Sequence, residues 1–358
     1  MKILYYFNYQ EDYRMSMDFY SNLLFNYRKT NKTFKFTKFT PKISLLTKLF
    51  GNYSMRMRYA RYISYPHQIK KLPLYDIGHV CEHQYAHLHS NINAKIKFVT
   101  VHDLIPRILH KRIGKWPYLS QYSLSKLKYF DKVFAISQNT KKDILKYTDC
   151  PENKIKVFYS PVESFFNSSK VNKLKICNKY KLPLEKKKIL ISGNIFYKNL
   201  EISIKTLEKL IKINNNIIFI KVGGKINLNC PKSLLDRFFQ MPFLKREELP
   251  SIYKICDLFF FPSIYEGYGL PCLEAMKCGI PVVCSDSASI PEVVGNAALK
   301  NKYNNVSGFV KNITKLLSNK KFYKSKQKQG FKRAKLFNNN YFHKQIIKTY
   351  QEELNKLK

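Results

Sequence analysis

The chain is 358 residues long, which is too long for one ordinary hydrophobic core and predicts two domains of roughly 150 to 180 residues each. Hydrophobic residues make up 45% of it, yet no apolar run approaches the roughly 20 residues that a membrane-spanning helix requires. Lysine and arginine outnumber aspartate and glutamate by 64 to 24, giving a formal net charge of +40 that favours anionic partners. The eight cysteines form no C-x-x-C pair, which argues against a zinc ribbon or redox motif and favours buried thiols.

The first part of the chain predicts alternating strands and helices. Its opening residues MKILYYFNY carry one lysine and too short an apolar stretch for a signal peptide, so they indicate a buried strand in a cytosolic protein. In the helix that follows, Phe19, Leu23 and Tyr27 share one stripe. A later strand ends at His102 and Asp103. The predicted elements are strands at 3–7, 34–39 and 97–101 and a helix at 16–26.

The distribution of charge is uneven, because residues 19–75 and 293–351 contain no acid at all. Within the first span, residues 43–65 interleave cations with apolar side chains, as an interfacial membrane segment does. Each cation near an anionic leaflet contributes about 1 kcal/mol of attraction. A lysine-rich composition from an AT-rich genome is the alternative; nucleic acid is not an expected partner, since no zinc-finger or RNA-recognition signature occurs. The apolar members of this segment are Leu45, Leu46, Leu49, Phe50, Met55, Met57, Tyr59 and Tyr62.

Four histidines, His79, His83, His87 and His89, cluster in the segment HVCEHQYAHLH. His83 and His87 have the i, i+4 spacing that places two metal ligands on one face of a helix. A metal site and a loop beside a ligand both remain open at this point.

The second half begins after residues 167–183, which are polar and broken, as in a linker. The pattern is then strand, helix and strand, which requires a right-handed crossover and predicts a parallel sheet. Gly193 follows the first strand, and Gly223 with Gly224 follows the second. The predicted elements are strands at 188–192 and 216–222, a helix at 200–213, and a last helix at 341–357 with Ile346, Ile347, Tyr350 and Leu354 on one face.

The most informative stretch is residues 258–299. Leu258–Phe261 is an apolar run typical of a strand buried on both faces, and a loop with Gly267 and Gly269 follows it. Pro271 opens a helix that continues through Met276 and stops at Gly279, and residues 280–284 form the next strand. The glycine loop thus lies at the carboxyl end of a parallel strand, where open α/β sheets bind ligands.

Two glutamates bracket this loop. The helix amino end favours a phosphate or a developing oxyanion. Glu266 in the loop is a poor phosphate ligand but a good acceptor for sugar hydroxyls, and Glu274 in the predicted first helical turn would suit a ribose. Together they indicate a nucleotide sugar. The alternative is that Glu266 is solvated and that Glu274 only complements the helix dipole.

The run EGYGLPCLEAMKCGIPVV, followed by IPEVVGNAAL, resembles the signature of the retaining glycosyltransferases of family 4, in which seven residues separate two glutamates. Weaker similarity extends to VTVHDLIP at 99–106, VFAISQNTKKDI at 133–144, ISGNIFYKNL at 191–200 and IKVGG at 220–224. The resemblance implies an α/β protein of the GT-B fold, with two Rossmann-like domains whose parallel sheets face a cleft. It implies an acceptor-binding domain at 1–166, a nucleotide-sugar-binding domain at 184–338, and a C-terminal helix at 339–358 that returns to the first domain.

The resemblance also implies roles for individual residues. Lys198 would hold the leaving phosphate, Glu266 the sugar hydroxyls, and His102 would face the acceptor, so these three are the catalytic candidates. The sequence departs from the family at Tyr197, where an arginine is usual, and at Asn194, where some relatives have another arginine; either Lys198 and the helix amino ends suffice or another cation substitutes. The remaining candidates are Glu274, Gly267, Tyr268, Gly269, Leu270, Gly193, Asn194, Gly223 and Leu244 on the donor side, and Asp103, His83 and His87 on the acceptor side.

The implied activity is retaining transfer of a hexose from a nucleoside diphosphate sugar, with GDP-mannose as the first donor to test, to a saccharide or lipid-linked acceptor in surface polysaccharide synthesis. No Asp-x-Asp triplet occurs, which favours an enzyme without a metal or other cofactor. The expected place is the cytoplasm, peripheral on the inner face of an anionic plasma membrane. A GT-B epimerase and a sugar-nucleotide-binding protein with reduced catalysis are the alternatives.

Overall fold

The computed structural model describes residues 1–29, 33–43, 47, 51–114, 118–226 and 231–357. The chain divides into two compact units, the first made of residues 1–160 and 340–358 and the second of residues 161–339. The first unit thus ends at Ser160, where the sequence placed the boundary at residue 166. The linker expected at 167–183 is wrong for Lys173–Tyr180, which form a helix of the second unit that begins at the side-chain cap of Asn172.

The first unit contains a six-stranded, all-parallel sheet in the order β2-β1-β3-β4-β5-β6. The four inner strands are buried along most of their length, from Ile3 to Tyr6 and from Phe98 to Val101 for example, as expected where both faces of a sheet are covered. The strands predicted at 3–7, 34–39 and 97–101 are confirmed, with ends that differ by at most three residues. The six strands are β1 (Lys2–Tyr6), β2 (Lys35–Phe39), β3 (Tyr75–Val80), β4 (Ala94–Val101), β5 (Lys132–Ala135) and β6 (Ile155–Val157).

The last helix of the chain, Asn339–Asn355, belongs to the first unit from Asn340 onward. His343 Nε2 lies 3.0 Å from the carbonyl oxygen of Leu23, and the Tyr350 hydroxyl hydrogen-bonds His79. The predicted return of the C-terminal helix to the first domain is therefore confirmed. The other helices of this unit are Met15–Asn26, Tyr53–Tyr59, Tyr65–Ile69, Ile105–Ile108, His110–Ile113, Tyr118–Ser125 and Gln138–Tyr147, with a π-helical turn at Ala60–Ser64 and 3-10 turns at Gln10–Asp12, Tyr27–Lys29, His83–Asn91, Leu127–Tyr129 and Glu152–Lys154.

The second unit repeats this architecture with a second six-stranded parallel sheet, in the order β12-β11-β10-β7-β8-β9. The strand predicted at 280–284 begins only at Val282, since Pro281 has no N–H to donate to a ladder. The six strands are β7 (Lys187–Ser192), β8 (Ile217–Val222), β9 (Phe238–Gln240), β10 (Leu258–Phe261), β11 (Val282–Ser285) and β12 (Leu299–Asn301).

Helices flank this second sheet as the sequence pattern requires. Leu200–Ile213 has the predicted bounds, and it buries Ile204, Leu207 and Leu210, which follow one another at helical spacing. The other helices of this unit are Lys173–Tyr180, Leu249–Ile255, Leu270–Cys278, Ile290–Val294, Val306–Ser318 and Lys320–Lys335, with 3-10 turns at Phe196–Lys198, Lys232–Leu234 and Arg246–Glu248.

Each sheet has a point where the strand order reverses, between β1 and β3 in the first unit and between β7 and β10 in the second. The loops that leave the two strands at such a point turn to opposite faces and leave a crevice, which is where open α/β sheets bind ligands. We call the carboxyl end of each sheet at its switch point the edge of that sheet. These two edges contain most of the candidate residues.

The segment predicted to lie at a membrane surface is described only in part. Met57 is buried in the core of the first unit rather than exposed, whereas Tyr53, Met55 and Ile63 are exposed. Among the described residues, no helix has both the length and the apolar character to cross a bilayer. The four predicted members Leu45, Leu46, Leu49 and Phe50 lie outside the described residues.

Candidate functional site

Lys198 and Glu266 meet at the switch point of the second sheet. Lys198 ends the 3-10 turn after β7, and Glu266 lies in the loop after β10. The Lys198 Nζ atom is 2.8 Å from Glu266 Oε1, and that oxygen also accepts a 2.5 Å hydrogen bond from the Ser263 hydroxyl. Both side chains are largely buried. Two residues 68 positions apart are thereby held as one ion pair, an arrangement that the sequence suggested only through the family resemblance.

Hydrogen bonds to main-chain carbonyl groups connect the two loops that carry this pair. The Tyr197 carbonyl oxygen accepts hydrogen bonds from the Ile264 N–H at 2.7 Å and from the Ser263 hydroxyl at 2.8 Å. The Asn199 side-chain amide donates to the Pro262 carbonyl at 2.9 Å. Tyr197, which stands where an arginine is usual, therefore contributes through its backbone to the position of Glu266.

Gly193, at the end of β7, has a φ of +99°, and a Cβ atom there would collide with the side chain of Lys198. The next residue, Asn194, donates its side-chain amide to the Gly223 carbonyl and accepts a hydrogen bond from Lys221 Nζ. Gly193, Asn194 and Gly223 thus lie together, as predicted for three donor-side residues. Lys221 was missed, because a lysine inside the run IKVGG gives no signal that distinguishes it from the other lysines of so basic a chain.

Glu274 is the fifth residue of the helix Leu270–Cys278, so its predicted place in the first helical turn is wrong. Its carboxylate is buried, and Oε1 lies 2.6 Å from Arg246 Nη2 while Oε2 accepts a 2.9 Å bond from the Tyr253 hydroxyl. Arg246 also pairs with Glu163. Burial raises the pKa of Glu163, and the guanidinium counteracts that rise. Sequence reasoning missed Arg246 and Glu163, which lie 83 residues apart.

The helix Leu270–Cys278 begins at Gly269, whose φ of +100° is favourable only for glycine. Gly267 and Tyr268, in the loop before it, are buried. Its amino end carries the positive end of the helix dipole beside the loop of Glu266. Leu244 is buried in the same unit, and the structure assigns no ligand to it.

The switch point of the first sheet contains buried polar atoms that lack hydrogen-bond partners. Asn8 follows β1, while Glu82 and His83 follow β3, and β1 pairs with β3 from Ile3 to Tyr6. Both amide atoms of Asn8, the Glu82 Oε2 atom and the His83 Nδ1 atom are buried without a partner among the described residues. Burial holds the pKa of His83 well below its ordinary value, so the imidazole is neutral. Asn8 and Glu82 had no sequence signal.

His102 and Asp103 follow β4, next to β3 in the sheet. His102 Nε2 hydrogen-bonds the Cys81 carbonyl at 2.9 Å, and burial lowers its pKa to about 4. Asp103 Oδ1 accepts from the Ile105 N–H at 2.9 Å, and burial raises its pKa. At neutral pH the ring of His102 is therefore uncharged.

His83 and His87 do not share a helix face, because His83–Asn91 is a 3-10 helix with three residues per turn. His87 Nε2 lies 2.8 Å from the Arg61 carbonyl oxygen and Nδ1 lies 3.2 Å from the Ser123 hydroxyl. Both ring nitrogens of His87 are thus engaged within the unit. The suggested arrangement of two metal ligands on one face is wrong, and an acceptor-side role for His87 stays a prediction that these contacts do not favour.

Two parallel sheets with a returning C-terminal helix define a protein of the GT-B class. HepE of Anabaena, solved in complex with UDP-glucose, superposes with a TM-score of 0.75 over 98% of this chain and 100% of that one at 14% identity. Sucrose-phosphate synthase of Thermosynechococcus elongatus gives 0.73 over 99% and 100% at 15% identity. At these identities the likeness shows the fold alone. Residues 172–333 match the family model described as "Glycosyl transferases group 1".

Two curated relatives come from Escherichia coli. The serotype-specific mannosyltransferase WbdA is 30% identical over 242 residues, which cover 62% of this chain and 29% of that protein. The O-antigen chain mannosyltransferase B is 42% identical over 95 residues, 26% of this chain and 25% of that protein. The chain therefore matches less than a third of the length of either relative. The predicted resemblance to glycosyltransferases is confirmed, and both of these relatives are named as mannosyltransferases.

Proposed function

We propose that the protein is a retaining glycosyltransferase that moves a hexose from a nucleoside diphosphate sugar to a saccharide acceptor. The observation that carries the proposal is the ion pair of Lys198 and Glu266 at the switch point of the second sheet, 2.8 Å apart. A cation for a phosphate and a carboxylate for sugar hydroxyls stand side by side there. The pair lies in the segment that matches the family model.

The donor would bind along the edge formed by the loops after β7 and β10. The amino end of the helix Leu270–Cys278 and the Lys198 ammonium would hold the diphosphate, and Glu266 would accept hydrogen bonds from the hexose. Glu274 would accept from the ribose through lone pairs that Arg246 and Tyr253 leave open, since each carboxylate oxygen can accept two bonds. Leu244 and the Gly223 loop would lie near the base.

In the transfer step the bond between the anomeric carbon and the phosphate oxygen breaks as the acceptor hydroxyl oxygen bonds to that carbon on the same face. The transition state resembles an oxocarbenium ion, and the departing phosphate takes the acceptor proton. Lys198 stabilises the charge that grows on this phosphate, so the proposal includes no metal. It also needs no carboxylate base, in contrast to a glycosidase.

For the donor, the printed names of the two Escherichia coli relatives favour a mannosyl group and therefore GDP-mannose. The complex of HepE with UDP-glucose makes UDP-sugars the next set to test. The same relatives favour an acceptor that belongs to a growing O-antigen or similar surface polysaccharide, carried on a lipid phosphate.

For the acceptor, the support is the set of buried polar atoms at the edge of the first sheet. Asn8, Glu82 and His83 have buried polar atoms that no described residue bonds, and such atoms cost about 1–3 kcal/mol each unless something binds them. Sugar hydroxyls both donate and accept, which suits an amide, a carboxylate and a neutral imidazole. We place the acceptor there, beside His102 and Asp103.

The proposal includes a peripheral position on an anionic membrane. Tyr53, Met55 and Ile63 are exposed, with Arg58 exposed among them. Apolar side chains interleaved with cations suit the interface of a bilayer. Pelleting with phosphatidylglycerol vesicles but not with phosphatidylcholine vesicles, reversed by salt, would support this part; equal binding to both would contradict it.

The test of the function is a thermal-shift screen against nucleotide sugars, followed by transfer assays with the donor that binds. The expected result is that GDP-mannose or another nucleotide sugar stabilises the protein and is consumed only when an acceptor saccharide is present, with the anomeric configuration retained by NMR. Epimerisation of the donor without an acceptor would indicate the epimerase alternative. Stabilisation by no nucleotide sugar would contradict the proposal.

A further inference from the structure

Lys221 is a buried lysine inside the second sheet, and the proposed chemistry has not yet used it. It lies in β8 between Ile220 and Val222, and the whole residue is inaccessible to solvent. A strand covered on both faces normally takes an apolar residue at such a position. Burial of an ammonium costs free energy because it disfavours the charged form. It therefore lowers the pKa of Lys221 to about 8.

The contacts of Lys221 are with neutral groups. Its Nζ atom donates to the Gly224 carbonyl at 2.6 Å and to the side-chain oxygen of Asn194. An ammonium has three N–H donors, so two are used within the described part of the chain. No described aspartate or glutamate forms an ion pair with it, although buried lysines are seldom found without an acid. The positive charge is thus solvated by dipoles and has no counter-ion among the described residues.

The position of this charge is fixed by Asn194. The amide oxygen of Asn194 accepts from Lys221 and its nitrogen donates to the Gly223 carbonyl, so both ends of the amide are engaged. Asn194 directly follows Gly193, against which the side chain of Lys198 packs. Lys198 from the 3-10 turn after β7 and Lys221 from β8 therefore contact two adjacent residues at the switch point.

We propose that Lys221 is a second cation for the donor diphosphate, presented by Asn194, and that it replaces the arginine missing from the loop before Lys198. This inference rests on the proposed function. A diphosphate carries more negative charge than one lysine and a helix amino end neutralise. An anion bound at the turn of Gly193 and Asn194 would supply the counter-ion that Lys221 lacks among the described residues, with Asn194 between the buried ammonium and the anion.

The test compares Lys221→Met with Lys188→Met in the full chain by calorimetric titration. Lys188 is a matched control because it lies on the neighbouring strand β7, is also buried, and donates to two backbone carbonyls, those of Leu184 at 2.7 Å and Lys186 at 2.9 Å. Those contacts lie at the amino end of the sheet. The probes are GDP, UDP and ADP, each paired with its nucleoside.

For the diphosphate that wild type binds best, we expect Lys221→Met to weaken binding by 10- to 100-fold and to leave the affinity for the nucleoside unchanged. Lys188→Met should match wild type with both ligands, and Lys221→Arg should retain most of the affinity. Asn194→Ala keeps the lysine but removes the amide that fixes its position, so we expect a smaller, 3- to 10-fold loss of diphosphate affinity. This variant tests the inference if Lys221→Met does not fold.

Two outcomes would overturn the inference, and they differ in what else they affect. If wild type prefers a diphosphate over its nucleoside and Lys221→Met keeps that preference within twofold, Lys221 is not a phosphate ligand while the proposed function stands. If wild type shows no preference for any diphosphate over its nucleoside, the sugar-nucleotide function fails as well.

Discussion

The switch points of the two sheets have the same topology but differ in how their polar groups are bonded. At the edge of the second sheet, ion pairs join Lys198 to Glu266 and Arg246 to Glu274, while Lys221 has no acidic partner among the described residues. At the edge of the first, Glu82 pairs with Arg14 through Oε1, but its Oε2 atom, the Asn8 amide and His83 Nδ1 are buried without a partner in the described part of the chain. A site that binds a charged ligand benefits from charges fixed in advance, since fixed groups need no rearrangement during reaction. A site for neutral hydroxyls can leave polar groups unsatisfied until the sugar arrives, at a cost in stability.

The largest effect expected is on transfer activity when the pair of the second edge is broken. Lys198→Met and Glu266→Gln should each lower kcat by about 10³-fold, the usual scale for removing a preorganised electrostatic contact to a transition state. The measurement is transfer of the sugar from the donor identified by the screen. Lys205 and Glu201 form the control, because they are an exposed Lys–Glu pair on the helix after this loop.

Lys205→Met and Glu201→Gln should change kcat by less than twofold, since exposed ion pairs contribute little. If Lys198→Met turned over donor as fast as wild type while remaining folded, the paired charges of the second edge would have no part in transfer.

The contrast between the edges also explains what the sequence could predict. The apolar composition of Leu258–Phe261 predicts a buried strand, and the hydrophobic periodicity of Leu200–Ile213 predicts a helix. Both were therefore predicted with the right bounds. Glu266 and Lys198 were found because a dense local motif surrounds the first and a partial one the second. Asn8, Glu82, Glu163 and Arg246 belong to no motif, and only the packing of distant segments brings them to their sites.

Arg246 offers a second way to test how far the donor edge depends on pairing. Arg246→Met would remove the ion pairs that this guanidinium makes with the buried carboxylate of Glu274 and the half-buried carboxylate of Glu163. Removing one partner of a buried ion pair typically destabilises a protein by about 3–5 kcal/mol. Because Arg246 is partly exposed, we expect its removal to lower the free energy of unfolding at pH 8 by about 2–4 kcal/mol. Denaturant titration measures the loss.

The loss should shrink as the pH falls. Burial already raises the pKa of Glu163, and removing the guanidinium raises it further, so this carboxyl takes up a proton in the folded variant at a higher pH than in the unfolded chain. The neutral acid is less costly to bury, and the variant should recover part of its deficit at pH 5.5. Arg237→Met is the control, because Arg237 bonds the Asn215 carbonyl and pairs only with an exposed acid, Asp236. An equal loss at both pH values would contradict this account.

For the first edge, the expected effect is smaller and has two opposite signs. Asn8→Ala removes two buried polar atoms that have no partner in the described part of the chain, so the free energy of unfolding should rise by about 1–2 kcal/mol. The same change should raise KM for the acceptor by about tenfold and leave donor affinity unaltered, because one hydrogen-bonding group for the sugar is lost. Denaturant titration and acceptor saturation curves measure the two effects. Asn22→Ala, at an exposed position of the helix Met15–Asn26, is the control and should alter neither. A variant that is both less stable and fully active would remove the case for an acceptor at Asn8.

The smallest effect expected is on the stability of the second edge at Lys221. Because its pKa of about 8 lies below the ordinary 10.5, the folded state disfavours the protonated lysine, and this penalty is fully present below pH 8 and disappears as the pH rises through 10.5. Lys221→Met should therefore raise the free energy of unfolding at pH 7. The full pKa shift would correspond to a larger stabilisation, but the substitution also removes the two hydrogen bonds of the ammonium. We therefore expect the free energy of unfolding to rise by about 1 kcal/mol. Denaturant titrations at pH 7 and pH 9.5 should show the advantage shrinking at the higher pH. If the variant were instead less stable at pH 7, Lys221 would be a structural residue of β8, and the unpaired charge of the donor edge would be held for the fold and not for a ligand.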